Sequence, residues 1–290
     1  MCDSEKNSYQ ISLESLELKI NKNTKVIIIT HVGGYCCDLT KLKKIKNKYP
    51  WVKIIEDCSQ SHGTEINSKK VGNFGDIACF STMFRKNLVT GGIGGLIYTK
   101  NKKLYNQILS VADRGKELYK KNFNPKNYNF YKIPSLNFNL DEISCFIGNY
   151  NLLNNLDSLN NSRFKIYLEI KKFFEEKQIS LFSLPDSSHL NFISIYFIPI
   201  TINLNNIKKI NLIKKFLSSQ KDFDFNFKYH ECIYEWKNFY KYISFNTSDF
   251  KNIKAYQGKT INFLFNEKTS LKKIKKLKLV LLNLEKKFID

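Results

Sequence analysis

The stretch Ile54-Ile55-Glu56-Asp57-Cys58-Ser59-Gln60-Ser61-His62-Gly63 decides the fold, together with Gly75-Asp76-Ile77-Ala78-Cys79-Phe80-Ser81 and Phe84-Arg85-Lys86-Asn87. An apolar run from Val52 to Ile55 ends in two carboxylates, and a second from Ile77 to Phe80 ends in a hydroxyl. Short apolar runs bounded by turn residues read as strands of a largely parallel sheet. Ligands of such sheets bind outside the carboxyl ends of the strands. Asp57, Ser81 and Lys86 are therefore expected at one crevice, beside the cluster Gly91-Gly92-Ile93-Gly94-Gly95.

An acid, a hydroxyl and an amine at one crevice suit pyridoxal 5'-phosphate. Its aldehyde needs an amine and its ring nitrogen needs a carboxylate to hold a proton. Its phosphate takes short hydroxyls and backbone N–H groups. The glycine cluster is not a dinucleotide fingerprint, because it neither follows a strand nor opens a helix.

On these motifs the chain resembles the DegT/StrS family of pyridoxal-phosphate-dependent sugar aminotransferases, from about Leu16 to about Phe164. The resemblance implies an α/β type I aminotransferase fold. It makes Lys86 the Schiff-base lysine, Asp57 the partner of the ring nitrogen, Gln60 a residue against the ring and its 3-oxygen, and Ser81 a phosphate ligand. Leu136-Asn137-Phe138-Asn139-Leu140 resembles the family's Asn-aromatic-Arg segment, which reaches the phosphate of the neighbouring subunit. Asn137 fits, whereas Asn139 stands where most members carry arginine.

Members of the family also begin with a further stretch of roughly a hundred residues, the size of a small domain. It holds a glycine-threonine turn for the phosphate and an aromatic that stacks on the ring. Nothing before Ser12 matches it. The expectation is an incomplete large domain over residues 1–155 and a linking helix with a smaller C-terminal α/β domain over 156–290. A homodimer, or a partner chain supplying the missing segment, would complete the site. Alone, such a sheet would leave edges and an apolar face open.

The rest of the composition narrows the class. Of 290 residues, 42% are hydrophobic and 14% aromatic, which suits a packed core. The net charge of +21 comes from lysines spread along the whole chain, not from a clustered basic stripe, so no nucleic-acid partner is expected. The densest runs, Lys100–Lys103 and Lys272–Lys278, read as solvated helix faces. No apolar run of 18 residues suggests a membrane span, and Met1–Gln10 lacks a signal-peptide core, which makes the cytoplasm the default. Seven cysteines without C-x-x-C or matching histidine spacing read as free thiols rather than zinc ligands.

Along the chain, helical spacing marks Ile11–Ile20, and β-branched density marks Lys25–Thr30 as a buried strand. Asp38 is placed to cap a helix from Leu39 to Asn47, and Val52–Glu56 is the next strand. Residues 67–72 read as a turn, Leu96–Thr99 as a strand and Lys102–Ala112 as a helix. A long loop, Arg114–Leu136, leads to a helix capped by Asn139 with Glu142 as its capping-box partner. Ile143, Phe146, Ile147, Tyr150 and Leu153 form its apolar stripe, and the pattern runs on to Phe174 as a bent helix or a pair. The aromatics between Tyr128 and Phe138 read as a subunit contact. Phe192–Ile202 and Thr260–Phe265 read as strands, Ile207–Leu217 and Leu271–Phe288 as helices, and Tyr229–Trp236 as a loop. His31 and His62 read as packed, hydrogen-bonded histidines; His230 suits either a substrate contact or a turn.

The function these readings imply is transfer of an amino group from an amino acid, glutamate in the first instance, to a keto group of a nucleotide-linked deoxysugar. Lys86 favours transamination over dehydration, since dehydratases of the family replace the lysine with histidine. The alternative is a catalytically incomplete subunit that binds a partner chain or a sugar nucleotide.

Overall fold

The computed structural model describes residues 1–227, 232, 235, 236, 238 and 246–289, so most of the expected Tyr229–Trp236 loop, His230 included, lies outside the described residues. Helix α1 (Leu13–Lys19) starts where the Ser12 hydroxyl accepts from the Ser15 N–H, and it buries Leu13 and Leu16. Strand β1 (Val26–Thr30) runs into the turn at Val32–Gly34. In α2 (Leu39–Lys48), Asp38 accepts from the N–H groups of Thr40 and Lys41, as its position foretells. Strand β2 (Lys53–Asp57) pairs parallel to β1, with Thr30 opposite Asp57.

A short hairpin, β3 (Glu65–Ile66) and β4 (Lys69–Lys70), turns at Asn67 and Ser68, both at positive φ. Strand β5 (Ile77–Ser81) pairs parallel to β2, and β6 (Gly95–Tyr98) closes the sheet antiparallel to β5. The order is β1-β2-β5-β6. One face of this sheet packs Ile27, Ile29, Ile54 and Ala78 against α1 and α2.

The other face is open. Strand β1 alternates instead of being buried throughout, leaving Val26 49% and Ile28 62% exposed, and every residue of β6 is exposed. Parallel strands normally carry cover on both faces.

Helix α3 (Lys102–Ala112) is capped by Asn101 and leads into the loop before α4 (Glu142–Asn154). Asp141, not Asn139, caps α4: its carboxylate accepts from the Ser144 N–H at 2.9 Å and the Ser144 hydroxyl at 2.7 Å. The stripe read from periodicity is present but uncovered, since α4 buries no residue and Ile143, Phe146, Tyr150 and Leu153 are exposed. A break at Asn155 separates α4 from α5 (Leu156–Glu176), which gives the helix pair.

Helix α5 buries Tyr167, Ile170 and Phe173 in a second core. That core packs on a sheet of order β7-β8-β10-β9, formed by β7 (Phe182–Ser183), β8 (Ile198–Ile202), β9 (Asp224–Asn226) and β10 (Thr260–Leu264), all antiparallel. The strand expected from Phe192 begins only at Ile198; Phe192 instead bridges to Glu65 of β3. Helices α6 (Ile207–Ser218) and α8 (Leu271–Phe288) follow the expected spans, with the short α7 (Lys251–Tyr256) between them. Ile274, Leu277, Leu281 and Leu284 of α8 are all buried, each contributing about 1.5–3 kcal/mol by removal from water. No described helix is long and apolar enough to cross a membrane.

Candidate active site

The parallel register puts Asp57 opposite Thr30 on one side and Cys79 on the other, at the carboxyl edge of the sheet. Side chains alternate along a strand, so Ser81 shares the face of Cys79. Ser81 ends β5 opposite Gly95 of β6, and the chain then turns through Met83–Leu88. The Lys86 N–H donates to the Met83 carbonyl at 2.9 Å, which closes this turn and fixes where the lysine stem departs. Gln60 accepts from the Gly33 N–H at 2.8 Å, tying the loop after β2 to the loop after β1. The Asp57 carboxylate accepts from the Ser59 N–H at 3.0 Å.

Lys86 is half-buried. Burial pulls its ammonium below the ordinary lysine range, and the negative charge of Asp57 is close enough to oppose that shift. Amine and carboxylate thus share one electrostatic neighbourhood, as the strand-end argument requires. The Lys86 Nζ also sits over the Tyr196 ring, 5.0 Å from its centre. A cleft of about 690 Å³ opens beside this lysine, with Arg85, Lys86, Asn87, Arg163, Asn266 and Glu267 among its lining residues.

His62 is buried, with its ring 5.6 Å from that of Phe80. Burial takes its pKa down to about 4; contact with the Ser81 backbone offsets part of this and the Lys86 charge adds to it. The imidazole is packed, as expected, but neither ring nitrogen has a hydrogen-bond partner among the described residues, so the expected hydrogen bonding of His62 is not met. His31 pairs with Glu56, at 3.1 Å, on the covered side of the sheet. His31, Glu56 and Cys58 are close enough to share a metal ion. The two Glu56 oxygens, however, already accept from the N–H groups of Gly72, Phe74 and Gly75 at 2.6–2.8 Å. Four donors on one buried carboxylate make a structural anchor, not a vacant ligand.

Asn137 stands apart from this group. It is exposed on the loop before α4, bridges to Asp113, and accepts from the Asn139 N–H at 3.2 Å. Four of the five sequence-derived residues, Asp57, Gln60, Ser81 and Lys86, therefore come from the loops and strand ends of one sheet edge. Sequence reasoning missed Tyr196, Arg163 and the role of Asn87. Nothing local marks the first two, because Tyr196 reaches Lys86, and Arg163 reaches Asn87, only through tertiary packing. Asn87 lay within the decisive motif, beside the lysine.

The donor set fits pyridoxal phosphate at its aldehyde and ring-nitrogen end, where the Lys86 amine, its pKa lowered by burial, lies within the electrostatic reach of Asp57. At the phosphate end it offers the Ser81 hydroxyl. The profile of the DegT/DnrJ/EryC1/StrS aminotransferase family matches residues 1–278. The chain belongs to this family. It is 36% identical over 166 residues to the dTDP-3-amino-3,6-dideoxy-alpha-D-galactopyranose transaminase of Aneurinibacillus thermoaerophilus, covering 56% of this chain and 43% of that protein. Family aminotransferases depend on pyridoxal phosphate. Among solved structures, the Helicobacter pylori aminotransferase of pseudoaminic acid biosynthesis superimposes with a TM-score of 0.84 at 23% identity, over 99% of this chain and 73% of that one. The Escherichia coli GDP-4-keto-6-deoxy-D-mannose-3-dehydratase with bound hydrated pyridoxal phosphate gives a TM-score of 0.80 at 20% identity, over 97% and 73%. These likenesses establish the type I fold. The chain spans less than half the length of the curated relatives it matches.

Proposed function

We propose that this chain carries the catalytic lysine of a pyridoxal-phosphate-dependent transfer of an amino group, from an amino acid such as glutamate to a keto group of a nucleotide-linked deoxysugar. The observation that carries the reading is the convergence of Asp57, at the end of β2, and Lys86, in the turn after β5, at one sheet edge, where burial lowers the lysine pKa. The names of relatives that act on nucleotide-linked sugars support the substrate class.

When bound, the cofactor supplies an aldehyde carbon for amines and a cationic ring that withdraws electrons from the bonds at that carbon. Lys86 Nζ is the amine positioned to hold that carbon, and burial increases the fraction in the uncharged, nucleophilic form. Displaced by the amino donor, the same Nζ would be free to take the proton from the amine-bearing carbon of the substrate and hold it for return on the far side of the nitrogen. Asp57, at the strand end, would hold the ring nitrogen protonated by its negative charge. Gln60, pinned by the Gly33 N–H, and the Ser81 hydroxyl would hold the ring and the phosphate.

Supplying keto sugar nucleotides with glutamate and pyridoxal phosphate should yield amino sugar and 2-oxoglutarate, and Lys86→Ala should yield neither. A second reading is a binding subunit without its own turnover, favoured by the single hydroxyl at the phosphate end and the exposure of Asn137. Chain that stays colourless with added cofactor yet binds the sugar nucleotide would support that reading against the first.

A further inference from the structure

The guanidinium of Arg163 is buried and makes no ion pair among the described residues. A buried charge without an ion-pair partner is costly; its Nε finds no acceptor among the described residues, its two Nη atoms find neutral ones, and the guanidinium lies over the Phe265 ring at 5.4 Å. Its Nη1 donates to the Asn87 side-chain oxygen at 2.5 Å and to the Ile195 carbonyl at 3.3 Å. Its Nη2 donates to the Phe265 carbonyl at 2.5 Å. Asn87 cannot turn over, because its Nδ2 donates to the Asn160 oxygen at 3.0 Å and to the Ser194 hydroxyl at 3.1 Å.

Two of these acceptors have telling neighbours. Asn87 follows Lys86, and Ile195 precedes Tyr196. Lys86 and Tyr196 are the two members of the cation–ring contact at 5.0 Å. One nitrogen of Arg163 therefore fastens the residue beside the amine and the residue beside the ring. We infer that Arg163, through Asn87 and Ile195, sets the separation between the Lys86 amine and the Tyr196 ring, and that Tyr196 is a positioning residue for that amine.

The face of an aromatic ring attracts an ammonium. Tyr196 thus restrains the four-carbon stem of Lys86 and favours its charged form, against the burial that favours the neutral one. The other groups around the amine are Asp57 at the sheet edge, neutral His62 behind it, and Arg85, Arg163 and Glu267 along the cleft. Because the ring belongs to the segment leading into β8, the amine is held only while the two sheets stay docked. That this amine is the reacting one rests on the proposed function; the clamp itself does not.

Peptide-resolved acetylation by acetic anhydride, run against pH on the chain without cofactor, reads the neutral fraction of Lys86. Tyr196→Leu should lower the midpoint and speed acetylation below it on the order of two- to fivefold, whereas Tyr196→Phe keeps the ring face and should follow the parent profile. Arg163→Lys cannot donate from a planar fork and should shift the profile the same way. The double variant should shift no further than Tyr196→Leu alone, since both act through one contact. Equal profiles for Leu, Phe and parent, a Phe shift as large as that of Leu, or additive shifts in the double variant would each overturn the inference. If Arg163→Lys does not fold, the two Tyr196 variants decide it. No cofactor is present, so the outcome is separate from whether the chain transaminates.

Discussion

His31 Nε2 lies 3.1 Å from Glu56 Oε2, and neither side chain reaches solvent. Burial pushes the Glu56 carboxyl up, but His31 and the N–H groups of Gly72 and Gly75 outweigh it and leave the pKa below its ordinary value. The pair sits beneath the carboxyl edge of the sheet and joins β1, β2 and the loop before β5.

Glu56→Ala should accordingly cost about 3–5 kcal/mol, the range for breaking a buried pair, measured by urea unfolding. A carboxyl depressed in the folded state adds stability above its unfolded pKa and loses it as pH falls through the lower, folded value. Stability of the parent should therefore fall steeply below about pH 4, near the unfolded Glu value, and the Glu56→Ala variant should lose that part of the slope. A slope unchanged by the substitution would assign the acid sensitivity elsewhere.

Asp57→Asn tests the other carboxylate of the same pair of residues. The neutral amide removes the charge opposing the effect of burial on Lys86 and, on the proposed function, the carboxylate that would pair with the ring nitrogen. Turnover should drop about 10²–10³-fold, as for loss of a preorganised electrostatic group, with unfolding stability nearly unchanged. A drop below tenfold in the steady-state rate would remove Asp57 from the chemistry.

His62 should remain neutral well below the usual histidine range, since its pKa is held at about 4 by burial and by the Lys86 charge. Its ring C–H resonances should stay constant between pH 8 and about pH 5. Titration near pH 6.5, an ordinary histidine value, would show that water or a counter-charge reaches the ring.

Much of this was legible from the chain alone. The strand ends at Asp57 and Ser81 followed from apolar runs terminated by polar residues, and the Asp38 cap and the α8 face followed from local chemistry. The failures have separate causes. Periodicity shows which residues are apolar together, not whether anything covers them: β1 read as a buried strand, yet Ile28 is 62% exposed, and the apolar stripe of α4 leaves Phe146 73% exposed. The Asn139 cap lost to Asp141 because a carboxylate two residues later reaches the Ser144 N–H and hydroxyl together. Tyr196 and Arg163 were illegible because they meet Lys86 and Asn87 across more than 70 residues of chain.

Gly34→Ala tests how the two sheets meet. Gly34 has φ +97°, and a Cβ there would lie 2.3 Å from the Ser194 carbonyl oxygen. Left-handed strain alone costs roughly 1–3 kcal/mol, and the collision adds to it. The variant should unfold at lower urea and lose cofactor binding, because Ser194 also supports Asn87. Unchanged stability would mean that the two loops move apart freely.

The most direct measurement is borohydride reduction of the chain mixed with pyridoxal phosphate, followed by peptide mass mapping. The account predicts one dominant site, the peptide carrying Lys86, with the label abolished by Lys86→Ala and weakened by Asp57→Asn. Label scattered over exposed lysines such as Lys272 and Lys275, with Lys86 unmodified, would contradict it.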